Sequence, residues 1–560
     1  MPTQPTRRRI DRRSPTAVRR PGCEPETAPG RRAIEAPASY GPDDRAQWTT
    51  EMAALQATER WLDNHADAHE DVRRALARSP DIGPVAARIA RDARSEGPLR
   101  ESDLFQLKQF AYFGRRALSA AEGLVAEYDA PANMPDYLDD ISRTIHPGAA
   151  DSPQFHLSRR LDEDLAAALD RRDELREALR TTREPLEEAV VDRLGGSFDL
   201  QGRYRPGDAT DEAELVETDD LTREDGLWRL SSREVVELEE KLADLDSDIE
   251  AIERRIRREL TDRLVAHVDR LVRIGETLRD LDVRLAKVRL GRSLDGCWAH
   301  WRADEPSSSS AVEQKTSEQT ASGQNTVSET TSDGVVGLEG GREPRLAEIV
   351  GESEVQPIDF ELGERPAVIT GPNMGGKSSL LRLAGLCLWC AQHAMPVPAN
   401  GFGFRPVHGI RYVGSEEPTA LDADEGLSSF GREIRRLVDT RESCEAPTLW
   451  LLDEVGRGTH PEDGAALAID VIERLHDEGH DVLAATHFPD VAAHEAFALF
   501  QIRGIVDPDL LDEQLDGTRT VEQMEEVLRE AMDFQPDAAE AGSVPRGARI
   551  VARALGLDVN

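Results

Sequence analysis

The stretch from Ala367 to Ser379 constrains this chain more than any other. Ala367 to Thr370 is an apolar run of strand length, and Gly371, Pro372, Asn373, Met374, Gly375, Gly376, Lys377 and Ser378 follow it in the pattern G-x-x-x-x-G-K-[ST]. The order has a physical reason. Glycines let backbone N–H groups turn toward phosphates, and the N-terminus of the helix that follows favours negative charge. Lys377 then reaches the β and γ phosphates, Ser378 ligates Mg2+, and Ser379 joins the nucleotide-binding set.

A second half of such a site lies downstream. Leu449 to Leu452 reads as a strand ending in Asp453 and Glu454, which sets a carboxylate for Mg2+ beside one able to orient or deprotonate water. Two surface acids after a strand are the plainer alternative. A third strand, Asp481 to Ala485, runs into Thr486 and His487, and a histidine at a strand's carboxyl end reaches a γ-phosphate. Taken together and in this order, the motifs predict an ATP hydrolase with ATP and Mg2+ as cofactors. Glu454 and His487 are its catalytic residues, Gly371 to Ser379 its nucleotide-binding residues, and Ser378 and Asp453 its metal ligands. Short apolar strands alternate with helices from Val368 to Ile505, the texture of an α/β domain around a parallel sheet.

At 560 residues the chain exceeds one hydrophobic core, so several domains are expected. Residues 1–45 are rich in Pro and Arg without apolar periodicity, and read as a disordered tail. Residues 46–155 show helical spacing, as in Val85, Ile89, Leu104, Leu107 and Phe110, and read as a helical core domain. Residues 156–303 read as lever- or clamp-like long helices. Leu157, Leu161, Leu165, Leu169, Leu175 and Leu179 form the stripe of a first arm. The glycine- and aromatic-containing stretch from Gly195 to Leu230 forms a small tip. Apolar residues three and four apart from Val235 to Leu285 form a returning, coiled-coil-like helix, which at 1.5 Å per residue would span roughly 75 Å. A generic dimerising coiled coil is the alternative to a lever. Residues 304–341 read as a disordered Ser/Thr-rich insertion, 342–515 as a P-loop (ABC-type) ATPase domain, and 516–560 as a C-terminal helical segment closing it. The fold class expected is thus multidomain, α plus α/β.

A formal charge of -39 looks wrong for a nucleic-acid binder. Lysine, however, occurs only at Lys108, Lys241, Lys287, Lys315 and Lys377, so the positive charge is nearly all arginine, which resembles a halophilic proteome. In molar salt the Debye length is roughly 3 Å, and an acidic surface then repels DNA little. Five scattered cysteines argue against a disulfide framework. Cys387 and Cys390 form a CxxC inside an apolar run and read as buried helix positions. No apolar stretch approaches the ~20 residues of a membrane span, so the chain is expected in the cytoplasm, with no membrane partner.

GPNMGGKS, residues 371 to 378, resembles the phosphate loop of the MutS family of DNA mismatch repair ATPases. Further resemblances follow in order: Pro396 to Ala399, then Ser428, Ser429, Phe430 and Glu433, then Asp453 to Thr459 (DEVGRGT), then Thr486 and His487. The resemblance implies a homodimer that encloses duplex or branched DNA, with ATP binding and hydrolysis controlling the clamp and downstream repair or recombination proteins as further partners. It also implies that Ser428 and Ser429 contact the nucleotide of the opposite subunit. The family's mismatch-reading domain, with its Phe-x-Glu motif, is not expected here, nor is a Smr-type nuclease domain after Asn560. A structural SMC- or ABC-like coiled-coil ATPase bridging DNA or proteins is the alternative, although its LSGGQ-type signature is missing.

Overall fold

Helical spacing produces helices, but the first begins earlier than expected. The computed structural model describes residues 20, 22–92, 97–126, 128, 131–199, 202–207, 220–224, 227–302, 334–372, 376–414, 429–505 and 531–540. Within the stretch expected to be a disordered tail lies α1 (Ala28–Glu35), ahead of α2 (Arg45–Asn64). The backbone N–H groups of Glu26 and Thr27 and the Thr27 hydroxyl all donate to the buried Asp282 carboxylate, at 2.6 to 2.8 Å. A partner some 255 residues away leaves no trace in local periodicity.

The chain divides into two units, residues 26–29 and 65–282, and residues 1–25, 30–64 and 283–560. The first is mainly helical: α3 (Ala66–Arg78), α4 (Gly83–Asp92), α5 (Glu101–Ala120), α6 (Glu122–Val125), α7 (Met134–Ile145) and α8 (Glu163–Leu194). Here α5 packs on α3 and α7, burying Leu104, Leu107 and Phe110. Asp162 caps α8 by accepting the Leu165 N–H at 3.0 Å. The tip is a four-stranded sheet of β1 (Ser197–Phe198), β2 (Arg203–Arg205), β3 (Leu221–Glu224) and β4 (Leu227–Leu230), in the order β1-β2-β4-β3. Tyr204, Trp228 and Leu230 pack beneath it.

The return is α9 (Arg233–Val265), packed on α8. Arg255 pairs with Asp162 and Asp164, Arg172 with Asp246, and Arg183 with Glu239. Residue numbers fall on one helix as they rise on the other, so the two run antiparallel. The single long helix expected to Leu285 is instead interrupted, and α10 (Val268–Ser293) starts afresh after Ala266 and His267. Leu264 and Leu271 stay buried across the break. The His267 ring meets the Tyr137 hydroxyl at 2.7 Å, and the Arg270 guanidinium lies 3.9 Å from the Tyr137 ring centroid. These tertiary contacts hold the turn.

In the other unit, β5 (His300–Trp301), β6 (Val336–Gly341), β7 (Ile358–Leu362) and β9 (Gly401–Phe404) make a small sheet in the order β5-β9-β6-β7, with α11 (Pro344–Val350) between β6 and β7. Strand β6 was expected inside the 304–341 insertion. Its Val336 and Leu338, and Val335 just before it, are buried, so the apolar run VVGL belongs to the core. The larger sheet runs β10 (Gly409–Gly414), β11 (Thr448–Asp453), β12 (Asp481–Ala485), β8 (Ala367–Thr370), β13 (Ala498–Ile505), β14 (Met532–Ala538). All neighbours are parallel except β13 and β14. Alternation is strict: Ile369, Leu449, Leu451 and Leu483 join one apolar cluster, and Val368, Trp450, Leu452 and Val482 another. Burial on both faces explains the continuous apolar runs. The first cluster includes Leu380 and Leu383 of α12 (Lys377–Gln392), and the second Ala465 and Ile472 of α14 (Pro461–Asp477). Two further helices are α13 (Ser429–Glu442) and α15 (Pro489–Ala492).

Two more boundaries move. Trp48, Met52 and Leu55 of α2 belong to this unit's core, and the Trp48 indole donates to Ala391 O at 2.9 Å, so α2 does not join the 46–155 helical domain. Strand β14 pairs antiparallel with β13, where a helical segment was expected. Cys387 and Cys390 are fully buried in α12.

Candidate functional site

Strands β8, β12 and β11 lie side by side in register, Ile369 beside Ala485 and Ala485 beside Asp453. Their carboxyl ends therefore present three consecutive segments at one edge: the glycine–lysine loop, Asp453 with Glu454, and Thr486 with His487. That edge is where open parallel sheets bind ligands. Asn373, Met374, Gly375 and Ser428 lie outside the described residues. Gly371 and Pro372 leave β8, and Gly376 caps α12 in the left-handed conformation (φ +82°) that glycine adopts without strain. A Cβ at Gly376 would stand 3.2 Å from the Phe534 ring of β14.

Lys377 opens α12 and is 6% exposed. Its Nζ donates to Gly371 O and Pro372 O, both at 3.0 Å. Burial pushes its pKa below the usual lysine value, while the charges of Glu454 and Asp453 oppose the shift. An ammonium group held by two carbonyls of its own loop is poised to exchange them for anionic oxygens. Ser378 and Ser379 follow in the first turn, half-buried.

Asp453 ends β11. One carboxylate oxygen accepts the Tyr412 hydroxyl at 2.5 Å, while the other, Oδ1, is buried without a hydrogen-bond partner among the described residues. A buried lone pair left unmatched is costly, and it is the kind of oxygen a hard divalent cation takes as ligand. The donor set thus fits Mg2+. Burial, with Asp453 next in effect, pushes the Tyr412 hydroxyl up to about 12, so it stays a donor to Asp453.

Glu454 is a non-glycine residue at φ +56°, a conformation costing roughly 1–2 kcal/mol. Its N–H donates to Ala485 O at 3.0 Å and its carboxylate is held by Arg457 at 2.6 Å, which over-determines the strained turn. The loop continues through Gly456, whose N–H donates to Glu433 of α13 at 3.0 Å. Gly456 also touches Gly464, where a Cβ on either would overlap the other's carbonyl. Ser429 begins α13. Thr486 donates its N–H to Ile369 O and accepts the Phe488 N–H, which fixes the turn that leaves His487 exposed at the end of β12. The His487 and Phe488 rings are 4.3 Å apart.

Tyr412 and Phe534 had no sequence signal, whereas Arg457 stood inside the DEVGRGT resemblance without a role assigned to it. Tyr412 reaches the site through the folding of β10 and Arg457 through a local turn, and Phe534 lies on β14, where a helical segment was expected.

Comparison with known proteins agrees with this geometry. Residues 367–514 match the family model described as MutS domain V. A protein named endonuclease MutS2 from Thermomicrobium roseum is 32% identical over 374 residues, covering 65% of this chain and 43% of that protein. Its namesake from Halalkalibacterium halodurans is 28% identical over 264 residues, 46% of this chain and 29% of that one. A third, from Pelotomaculum thermopropionicum, is 38% identical over 153 residues, 27% and 19% of the two chains. The chain thus spans less than half the length of these relatives. One match extends well beyond the α/β domain and the domain model itself begins at the strand carrying the glycine–lysine loop, and together these similarities support a MutS-family protein.

Proposed function

We propose that the chain is a DNA-binding ATP hydrolase in which ATP binding and hydrolysis control a dimeric clamp on duplex, mismatched or branched DNA, in repair or recombination. The observation that carries the catalytic half is the pairing of a buried, carbonyl-held Lys377 after β8 with Asp453 at the end of β11, two strands that flank β12, the inner oxygen of Asp453 lacking a partner among the described residues. Mg2+-bound ATP would supply the γ-phosphoryl group to be transferred to water. Gly371 to Gly376 would cradle its phosphates by backbone N–H groups, and Lys377 would neutralise their charge. Ser378 and Asp453 would hold the metal, with Tyr412 keeping the aspartate in one orientation. Glu454 would orient and deprotonate the attacking water, Arg457 setting its direction. His487 would reach the γ-phosphate from the end of β12.

The DNA half rests on the similarity to the MutS family. Phosphate contacts position a protein on a duplex without reading sequence, and in molar salt enclosure replaces long-range attraction. ATP turnover should be measured in molar KCl with and without defined duplex, mismatched and branched DNAs, alongside binding to the same panel. Turnover that needs Mg2+ and changes on addition of DNA is expected. A native chain that hydrolyses no ATP, or retains none of these DNAs with ATP present, would sink the reading.

A further inference from the structure

The arm carries a cleft that the ATPase reading does not use. It lies between α8 and the start of the tip sheet, encloses about 840 Å3, and is lined by Arg176, Arg180 and Arg183 on the helix and by Ser197, Phe198 and Arg205 on the sheet side. The helical arginines are spaced by four and three residues, which places them on one face. Glu184, Glu187 and Asp199 also line it, but the two glutamates are already bound, Glu184 by Arg180 at 2.9 Å and Glu187 by Arg183 at 2.5 Å. Arg205 meets Asp199 only at 3.5 Å and is 74% exposed. Among the described residues Arg176 has no hydrogen-bond or ion-pair partner.

Four guanidinium groups turned on one concavity of a chain with charge -39 call for an anion. Each guanidinium has five N–H donors in a planar fork, so those already paired retain donors for a ligand, and the fork matches phosphoryl oxygens. The volume falls within the ~300–1,000 Å3 of small-molecule sites. Phe198 adds an aromatic face for a base to stack on. A duplex fits less well, because α8 carries ten carboxylates against six arginines, and a rod of phosphates lying along it would meet that net negative charge. A small ligand meets only the lining.

We propose that this cleft binds a nucleoside polyphosphate, as a second nucleotide site separate from the glycine–lysine loop. The full chain carrying Lys377→Ala isolates it, and the probes are ATP and inorganic tripolyphosphate, followed by equilibrium dialysis in molar KCl. One ATP per chain should remain bound, tripolyphosphate should displace it, and adding Arg176→Glu with Arg205→Glu should weaken it at least tenfold. Both arginines are exposed, so the fold should survive, as thermal melting would verify. With Lys377 intact, the same two reversals should leave ATP turnover unchanged. Absence of bound ATP from the Lys377→Ala chain overturns the cleft alone. Binding that ignores the reversals overturns it too, and counts against the role given to Lys377. Displacement by a short duplex but not by tripolyphosphate would make the cleft a nucleic-acid surface instead, and the proposal falls.

Discussion

Lys377 and Glu454 stand at the same edge of the sheet yet should fail differently when removed. Lys377→Ala takes away the charge that faces the phosphates and should abolish ATP binding, read by dialysis in a chain that also carries Arg176→Glu and Arg205→Glu. Glu454→Gln keeps shape and hydrogen bonding and loses only basicity, so ATP should bind normally while turnover drops at least ~100-fold. Equal ATP affinity with and without Lys377, or unchanged turnover in Glu454→Gln, would remove the corresponding assignment. These residues were legible because their chemistry demands fixed spacing from a strand. Lys108 was not, because its meaning is burial: it is fully enclosed, donating to Ser142 O at 3.0 Å and Ser142 Oγ at 2.6 Å. Burial pulls its pKa down to about 8 from 10.5, against the attraction of Asp139 and Asp151. Between these values the unfolded chain binds the proton that the folded chain has shed, so stability rises with pH there and the cost of burying the charge is felt in full below pH 8. Lys108→Met should lose that pH-dependent rise, seen in melting temperatures from pH 7 to 10.5. A mutant whose melting still climbs as steeply over that range would assign the rise to other groups.

At the scale of elements, the β-strands around the site could be read directly, since burial on both faces leaves apolar runs such as Leu449 to Leu452. The missed elements were those whose reasons are tertiary. Helix α1 follows a segment pinned by Asp282, the break between α9 and α10 follows from Tyr137 and Arg270 around His267, and β14 exists because β13 offers it an edge. Strand β14 matters for the site as well. The Gln356 side chain accepts the Phe534 N–H at 3.0 Å and donates to Asp533 at 2.7 Å, which holds the strand while Phe534 lies over Gly376. Gly376→Ala would put a methyl in a left-handed conformation and 3.2 Å from that ring. It should cost about 1–2 kcal/mol in denaturant unfolding and weaken ATP binding more than Phe534→Ala does, because only the glycine change strains the loop itself. If the double mutant recovers neither stability nor binding relative to Gly376→Ala, the ring is not what the methyl strikes.

At the scale of the whole molecule, the question is whether the ATP site is complete in one chain. Helix α13 begins at Ser429, and its Glu433 and Phe430 bear on the chain's own loop after β11: Glu433 accepts the Gly456 N–H, and Phe430 Cβ lies 3.1 Å from where a Cβ on Gly458 would stand. The start of α13 is thus tied in cis to the loop after β11, while the family resemblance puts Ser428 and Ser429 against the partner's nucleotide. The two statements are compatible only if a dimer brings one chain's α13 to the other's glycine–lysine loop. A chain of charge -39 opposes its own association at low salt, so the test belongs in molar KCl. A Ser428→Ala, Ser429→Ala chain and a Lys377→Ala chain should each be inactive alone. Mixed in equal amounts, half of the dimers would be heterodimers, each with one site that has both its own Lys377 and the partner's serines, so roughly a quarter of native turnover should return. If the serines act within their own chain, every site in the mixture lacks either the lysine or the serines, and activity stays at zero. Sedimentation of the mixture must show dimers for the comparison to count; dimers without recovered turnover would refute the trans assignment.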